Sequence, residues 1–249
     1  MNSLKLSSRE DWEKHWNNHE LIRIISERFS WHDQLKRVAR EIGGGRAAIE
    51  LGGFPGNFSV YLKKYCNLNV TLIDYIVDPN VVEKLFEING LKFRDVNLIE
   101  ADVFSYDPER KYDLVCSFGL IEHFVDLEKI LQCHLKFMNL DGILLITLPN
   151  FTGVNGFLQY LFDRENLAIH NLKIMDIKLL KSVLIKLGLK KIDVQYYPST
   201  QVWLEGLKYR SFLLKILVRV VNKLVFIFSN ILGKKNKFFS DSIVIIAKW

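Results

Sequence analysis

Cysteine and proline are scarce: three and five residues in a chain of 249. Cys66, Cys116 and Cys133 lie in apolar stretches and form no CxxC pair, which excludes a disulfide framework and a thiolate zinc site and fits a reducing cytoplasm. No low-complexity linker and no internal repeat divides the chain, so 1–249 reads as a single domain. The N-terminal MNSLKLSSREDWEKHW is too polar for a secretory signal peptide. An uncharged run long enough to span a bilayer is also missing. The most apolar stretch, 211–232, is interrupted by Lys215, Arg219 and Lys223. Histidine–carboxylate spacing of a metal site is not found, so no metal is expected.

Hydrophobic residues make up 49% of the chain, enough for a large core. The net charge of +6 is unevenly placed. Residues 203–249 carry nine Lys or Arg against Glu205 and Asp241, so the remainder is close to neutral. The basicity belongs to the C-terminal segment, and that segment is too apolar to be a phosphate-facing surface. No nucleic-acid partner is expected.

Short apolar runs alternate with helical patterns, the signature of βαβ units around a parallel sheet. The predicted strands are Arg46–Leu51, Val70–Asp74, Val96–Glu100, Tyr112–Ser117, Ile143–Leu148, Lys191–Tyr197 and Ser242–Lys248. Asp78-Pro79 and Asp126 are predicted helix starts, Asp141-Gly142 a turn, and Ile174–Leu187 a helix ended by Gly188.

In an open α/β sheet a ligand sits at the carboxyl ends of the strands. Four features converge there. The segment ELGGFPG (50–56) supplies Gly52, Gly53 and Gly56, where backbone can approach a ligand closely. Asp74 closes the second strand and can accept both hydroxyls of a ribose. Asp102 follows the third strand and can accept from a purine amine. Glu50 can hold an ammonium group. Taken singly, each reads as a plain turn or a solvated strand end; in this order and spacing they point to a nucleotide-like cofactor with a ribose and a charged end. A dinucleotide fingerprint would need glycine at 54 and 57, where Phe54 and Asn57 stand.

These motifs resemble the class I S-adenosylmethionine-dependent methyltransferase domain. ELGGFPG is similar to the family's first motif, with Phe54 at the usual middle glycine and Gly53 taking over its conformational role. VTLIDY resembles the second motif, giving Asp74 and Tyr75, and EADVF the third, giving Asp102 and Val103. YDLVCSFGLIEHF (112–124) resembles the fourth-strand segment, so Ser117, Phe118 and Gly119 would line the methionyl part. DWEKHW resembles an aromatic segment placed over the cofactor, which implicates Trp16 and an N-terminal helical lid over 1–42. The resemblance implies a Rossmann-like α/β fold with a seven-stranded mixed sheet of order 3-2-1-4-5-7-6, helices on both faces, and S-adenosyl-L-methionine as cofactor.

Methyl transfer from a sulfonium needs alignment and, for a hydroxyl acceptor, a base; histidine suits that task. His15, His19 and His32 lie in polar N-terminal helices, and His134 falls on an apolar helical stripe. His123 and His170 are the candidate bases, each with a plainer reading as an orienting or capping residue, and Glu122 can orient a histidine or hold substrate. No Asn/Asp-Pro-Pro-aromatic segment follows strand four and no Pro-Cys nucleophile is present, which disfavours base methylation. The expected acceptor is a small molecule, with O-methylation of a sugar or lipid-linked substrate favoured. The alternative is a non-catalytic cofactor-binding or scaffold protein. The insertion 198–241 is expected to be helical, and its core, 207–237, packs on the domain, pairs in a homodimer, or lies on a membrane surface; the resulting localisation is cytoplasmic, peripheral at the inner membrane face in the last case.

Overall fold

The computed structural model describes residues 6–17, 20–29, 31–197, 202, 204, 207, 210–232 and 235–249. His19 and parts of the 198–241 insertion lie outside the described residues. In chain order the helices are α1 (Arg9–Asn17), α2 (His32–Ile42), α3 (Asn57–Cys66), α4 (Pro79–Ile88), α5 (Leu127–Lys136), α6 (Val154–Phe162), α7 (Arg164–Ala168), α8 (Ile177–Lys186) and α9 (Phe212–Leu232). The strands are β1 (Ala47–Leu51), β2 (Asn69–Asp74), β3 (Val96–Glu100), β4 (Tyr112–Phe118), β5 (Met138–Pro149), β6 (Lys191–Tyr197) and β7 (Ser242–Lys248).

The strands form one sheet in the order 3-2-1-4-5-7-6, as the family resemblance implied. The first five are parallel and β7 runs antiparallel to both β5 and β6. Side chains alternate across a strand, so each strand feeds two cores. Ile49, Leu51, Val115 and Ile146 pack under α5 and α8, with Ile130, Leu131, Leu180 and Leu184 facing them. Ala48, Val70, Leu72 and Leu145 pack on the opposite face against Leu35 of α2, Tyr61 of α3 and Phe86 of α4. This double burial explains the nearly unbroken apolar strands.

Helix starts follow their caps. Asp78 accepts from Asn80 N (2.9 Å) ahead of Pro79, and Asp126 from Lys129 N (3.1 Å). α8 begins later than the apolar pattern predicts, because Asp176 caps it through Leu179 N (2.9 Å). The predicted turn at Asp141-Gly142 is instead a bulge inside β5: the pairing jumps from Tyr112↔Met138 to Leu114↔Ile143, and Leu140 is thrown into solvent. The N-terminal stretch is helical only in part. Residues 21–29 run without helix between α1 and α2, fastened where Asn89 Oδ1 accepts from Ile25 N (2.8 Å).

β6 and β7 are separated by α9, whose Val218 and Val225 pack with Leu158 of α6. Among the described residues no helix is long and apolar enough to cross a membrane.

Candidate cofactor and acceptor site

The glycine loop is drawn over the sheet when Gly52 N donates to Ile73 O (2.8 Å). Gly52 has φ 64°, and a Cβ there would lie 2.5 Å from Leu120 Cδ1. A Cβ on Gly53 would lie 2.7 Å from the Glu50 side chain. Gly53 therefore serves space. The left-handed conformations fall at Gly52 and Gly56, a correction to the expectation that Gly53 replaces the missing middle glycine in that role. Gly56 (φ 108°) turns the chain into α3, and its Cα faces Leu72, Phe86 and Leu85; it does not line the hollow beside the loop. Phe54 is buried, donates its backbone N–H to Asp74 Oδ2 (3.0 Å) and packs edge-on to Trp16 at 5.6 Å.

That hollow has an empty volume of about 970 Å³, its open mouth included. Its walls include Glu50, Gly52, Gly53, Asp74, Tyr75, Asp102, Val103, Phe118, Gly119 and Trp16 from the sequence prediction, and also His123. Among the described residues lining it there is no Lys or Arg, which suits a cation and not a pyrophosphate. Asp74 Oδ1 accepts from Ile76 N (3.2 Å), and Asp102 Oδ1 from Phe104 N (3.0 Å); these bonds fix both carboxylates at the strand ends. Glu50, on β1, is buried against the first turn of α3, where it accepts from Ser59 through both Oγ and backbone N. Burial nevertheless dominates, aided by the nearby Asp74 charge, and pushes its pKa up to about 8.

Helix α1 covers the mouth. Leu6 N donates to His123 O (2.8 Å), Tyr75 Oη donates to Ser8 O (3.2 Å), and Arg9 pairs with Glu100 at 3.3 Å. Trp12, which the prediction did not single out, stacks on Trp16 and meets the His123 ring at 4.8 Å. Ser117 is placed differently from the prediction. Its side chain points away from the hollow into the core, its Oγ 2.8 Å from His134 Nε2. Because His134 Nδ1 faces Ile130 O (2.7 Å), Nδ1 carries the proton and Nε2 accepts from Ser117. Burial lowers the His134 pKa to about 4.

A second hollow adjoins the first across Trp12, Trp16, Phe58, Phe118 and His123. Trp31 stacks on Phe118 (5.0 Å) and Phe58 (5.0 Å), giving an aromatic wall. The opposite side carries Glu122, His123 and His170, whose ligating atoms lie within 4.8 Å of one another. Sequence spacing could not show this trio, because 47 residues and three helices separate its ends. His123 Nδ1 faces Ile169 O (2.9 Å) and His170 Nδ1 faces Asn166 O (2.6 Å), so both rings carry the proton on Nδ1. Burial, then His170, lowers the His123 pKa to about 3, leaving it neutral. Glu122 is fully buried, its pKa pushed up to about 8 by that burial, and its Oε2 has no hydrogen-bond partner among the described residues. The trio suits an organic ammonium or a metal cation.

A seven-stranded sheet of this order, with strand-end carboxylates around a glycine cradle closed to side chains, defines a class I methyltransferase. A family described as a methyltransferase domain matches residues 15–194, and the chain belongs to it. Its cofactor is S-adenosylmethionine, and the acid-lined hollow fits that cation. The chain is 28% identical over 127 residues to a probable (S)-tetrahydroprotoberberine N-methyltransferase 2 of Papaver bracteatum, a match covering 50% of the chain and 35% of that protein. It is 27% identical over 108 residues to (S)-tetrahydroprotoberberine N-methyltransferase of Eschscholzia californica, covering 43% and 30%. The matches thus span about a third of these curated relatives. Among solved structures it shares its fold with a SAM-dependent methyltransferase from Archaeoglobus fulgidus (18% identity, 87% and 92% coverage, TM-score 0.56). Another is phosphoethanolamine N-methyltransferase 2 of Haemonchus contortus with bound S-adenosyl-L-methionine (19%, 87% and 52%, TM-score 0.57).

Proposed function

We propose that this methyltransferase alkylates the amine nitrogen of a small, largely apolar molecule. The observation that carries this is the second hollow: aromatic rings of Trp12, Trp16, Trp31, Phe58 and Phe118 around one side, and the buried, unpartnered Glu122 Oε2 on the other. Aromatic faces and a buried carboxyl together select a cationic amine. The aromatic wall itself offers a sugar no polar partner; Thr147, Asn166, Asp241 and Ser242 lie elsewhere around the hollow. The curated relatives, named as N-methyltransferases, support the reading.

When bound, S-adenosylmethionine supplies an activated methyl group on a sulfonium. In this proposal Asp74 takes the ribose hydroxyls, Asp102 and Val103 meet the adenine, and Glu50 with Gly52, Gly53 and Gly119 holds the amino-acid end. The N-terminal lid, through Trp12 and Trp16, excludes water from both hollows. In its ionised form, which an adjacent ammonium favours over the neutral acid that burial prefers, Glu122 takes the proton from the acceptor and frees the nitrogen lone pair. His123 Nε2, fixed as an acceptor by the Nδ1 bond to Ile169 O, orients the same group. A hydroxyl acceptor on a lipid-linked or other apolar molecule is the second reading; the His123 and His170 rings, 4.6 Å apart, favour it.

Radiolabelled methyl transfer to a panel of cyclic aromatic amines, phosphoethanolamine, phenols and sugars tests the proposal. The expected result is transfer to amines, with Glu122→Gln lowering kcat/KM by about 10²- to 10³-fold while cofactor affinity holds. Transfer confined to hydroxyls, or an unaffected Glu122→Gln enzyme, contradicts it.

A further inference from the structure

Helix α9 has three sides. Leu214, Val218, Val221 and Val225 recur at helical spacing and pack with Val154, Leu158 and Phe162 of α6. A second apolar set, Leu213, Leu217, Val220, Leu224, Ile227 and Ile231, also recurs at helical spacing but faces solvent; Leu213 is 76% and Ile231 72% exposed. Lys215, Arg219 and Lys223, at successive i, i+4 steps, form a stripe between these faces. The helix contains no acidic residue, and Lys235 and Lys237 follow it. Helix α6 beside it exposes Phe157, Tyr160 and Leu161 as well.

We propose that this face docks on an anionic lipid surface, with α9 lying flat in the interface. A 21-residue helix is about 31 Å long. Its flanking strands, β6 and β7, are paired neighbours in one sheet, so the chain leaves and returns on the same side. A bilayer surface accepts both features at once: apolar side chains enter the acyl boundary and the cationic stripe meets phosphate and carboxylate headgroups. The return from α9 is pinned beside the acceptor hollow. Asn150 Nδ2 donates to Lys237 O and Ser240 O (both 2.8 Å), and Asp241 and Ser242 line that hollow. A docked enzyme would therefore meet an apolar acceptor at the bilayer surface. That consequence rests on the proposed function; the docking does not, and survives if the acceptor is not an amine.

Sedimentation of the full chain with phosphatidylcholine vesicles, with and without phosphatidylserine, provides the test. Two variants accompany it: Leu213→Glu/Leu224→Glu/Ile231→Glu and Lys215→Gln/Arg219→Gln/Lys223→Gln. All six positions are solvent-facing or partly so, and a melting shift with S-adenosylmethionine verifies that each variant is folded. The proposal expects binding to the anionic vesicles, abolished by the glutamates and lowered on the order of a hundredfold by loss of the three cations. Absence of vesicle binding overturns it, as does binding that neither variant weakens. So does a dimer, by light scattering, that the glutamates dissociate while vesicles leave it untouched.

Discussion

If Glu50 holds the amino group of the cofactor, as proposed, cofactor binding becomes a proton-exchange reaction. With a folded-state value of about 8, the empty site holds about 0.9 of a proton on Glu50 at pH 7. An ammonium placed against the carboxyl favours the ionised form and expels that proton. The ligand's own α-amino group, with an ordinary value of about 7.7–8.0, is mostly charged at pH 7 and mostly neutral at pH 9. Binding should release roughly 0.7 proton at pH 7 and take protons up at pH 9, reversing sign near pH 8. Calorimetric titration with S-adenosylmethionine in two buffers of different ionisation enthalpy measures this directly. Glu50→Gln should abolish the release at pH 7 and weaken binding about 10- to 100-fold, the worth of a charge-assisted hydrogen bond. The same shift has a stability consequence in the empty protein. An acid whose folded value lies above its unfolded 4.5 binds more protons folded than unfolded between the two. Stability contributed by Glu50 is thus lost as pH rises through 8, and the cost is fully present above it. Glu50→Gln should therefore be the more stable protein at pH 9, by up to about 5 kcal/mol. Wild-type binding with no proton exchange at pH 7, or equal release by the variant, refutes the reasoning.

Gly52→Ala places a Cβ 2.5 Å from Leu120 Cδ1 on a residue with positive φ, so it should lower stability by about 1–3 kcal/mol and abolish the melting shift with cofactor; adding Leu120→Ala should recover only part of the stability. His134 binds a proton in the unfolded chain near 6.5 but folded only near 4, so its share of stability is lost as pH falls through that window. Urea melts at pH 6.5 and pH 5 should show His134→Asn losing about 2 kcal/mol less than wild type over that interval; identical losses would contradict the burial argument.

The architecture was legible because each element advertised itself locally. The strands are apolar on both faces, so their composition marks them whatever their neighbours. Asp78-Pro79 and Asp126 announce helix starts within three residues of chain. The carboxylates at 50, 74 and 102 follow from strand ends and βαβ spacing alone. What escaped the sequence depended on distant partners. Asp141-Gly142 is turn chemistry in isolation, and only the fixed register of β4 against β5 turns it into a bulge. Ser117 directly precedes the pocket-lining Phe118 and Gly119, but strand alternation and the buried His134 draw its side chain the other way. Glu122, His123 and His170 converge because the loop after β5 returns across β4, as Asn171 N donating to Glu122 O (2.7 Å) shows. No local pattern encodes that return.

The account stands on the acid-lined hollow at the ends of β1, β2 and β3. Calorimetry of the intact chain and of Asp74→Ala with S-adenosylhomocysteine addresses it most directly, because that ligand keeps the ribose and base without the reactive methyl. Saturable binding by the wild type, weakened about 100-fold or more in Asp74→Ala, is the predicted result. Equal affinity in both proteins, or none in either, would contradict it.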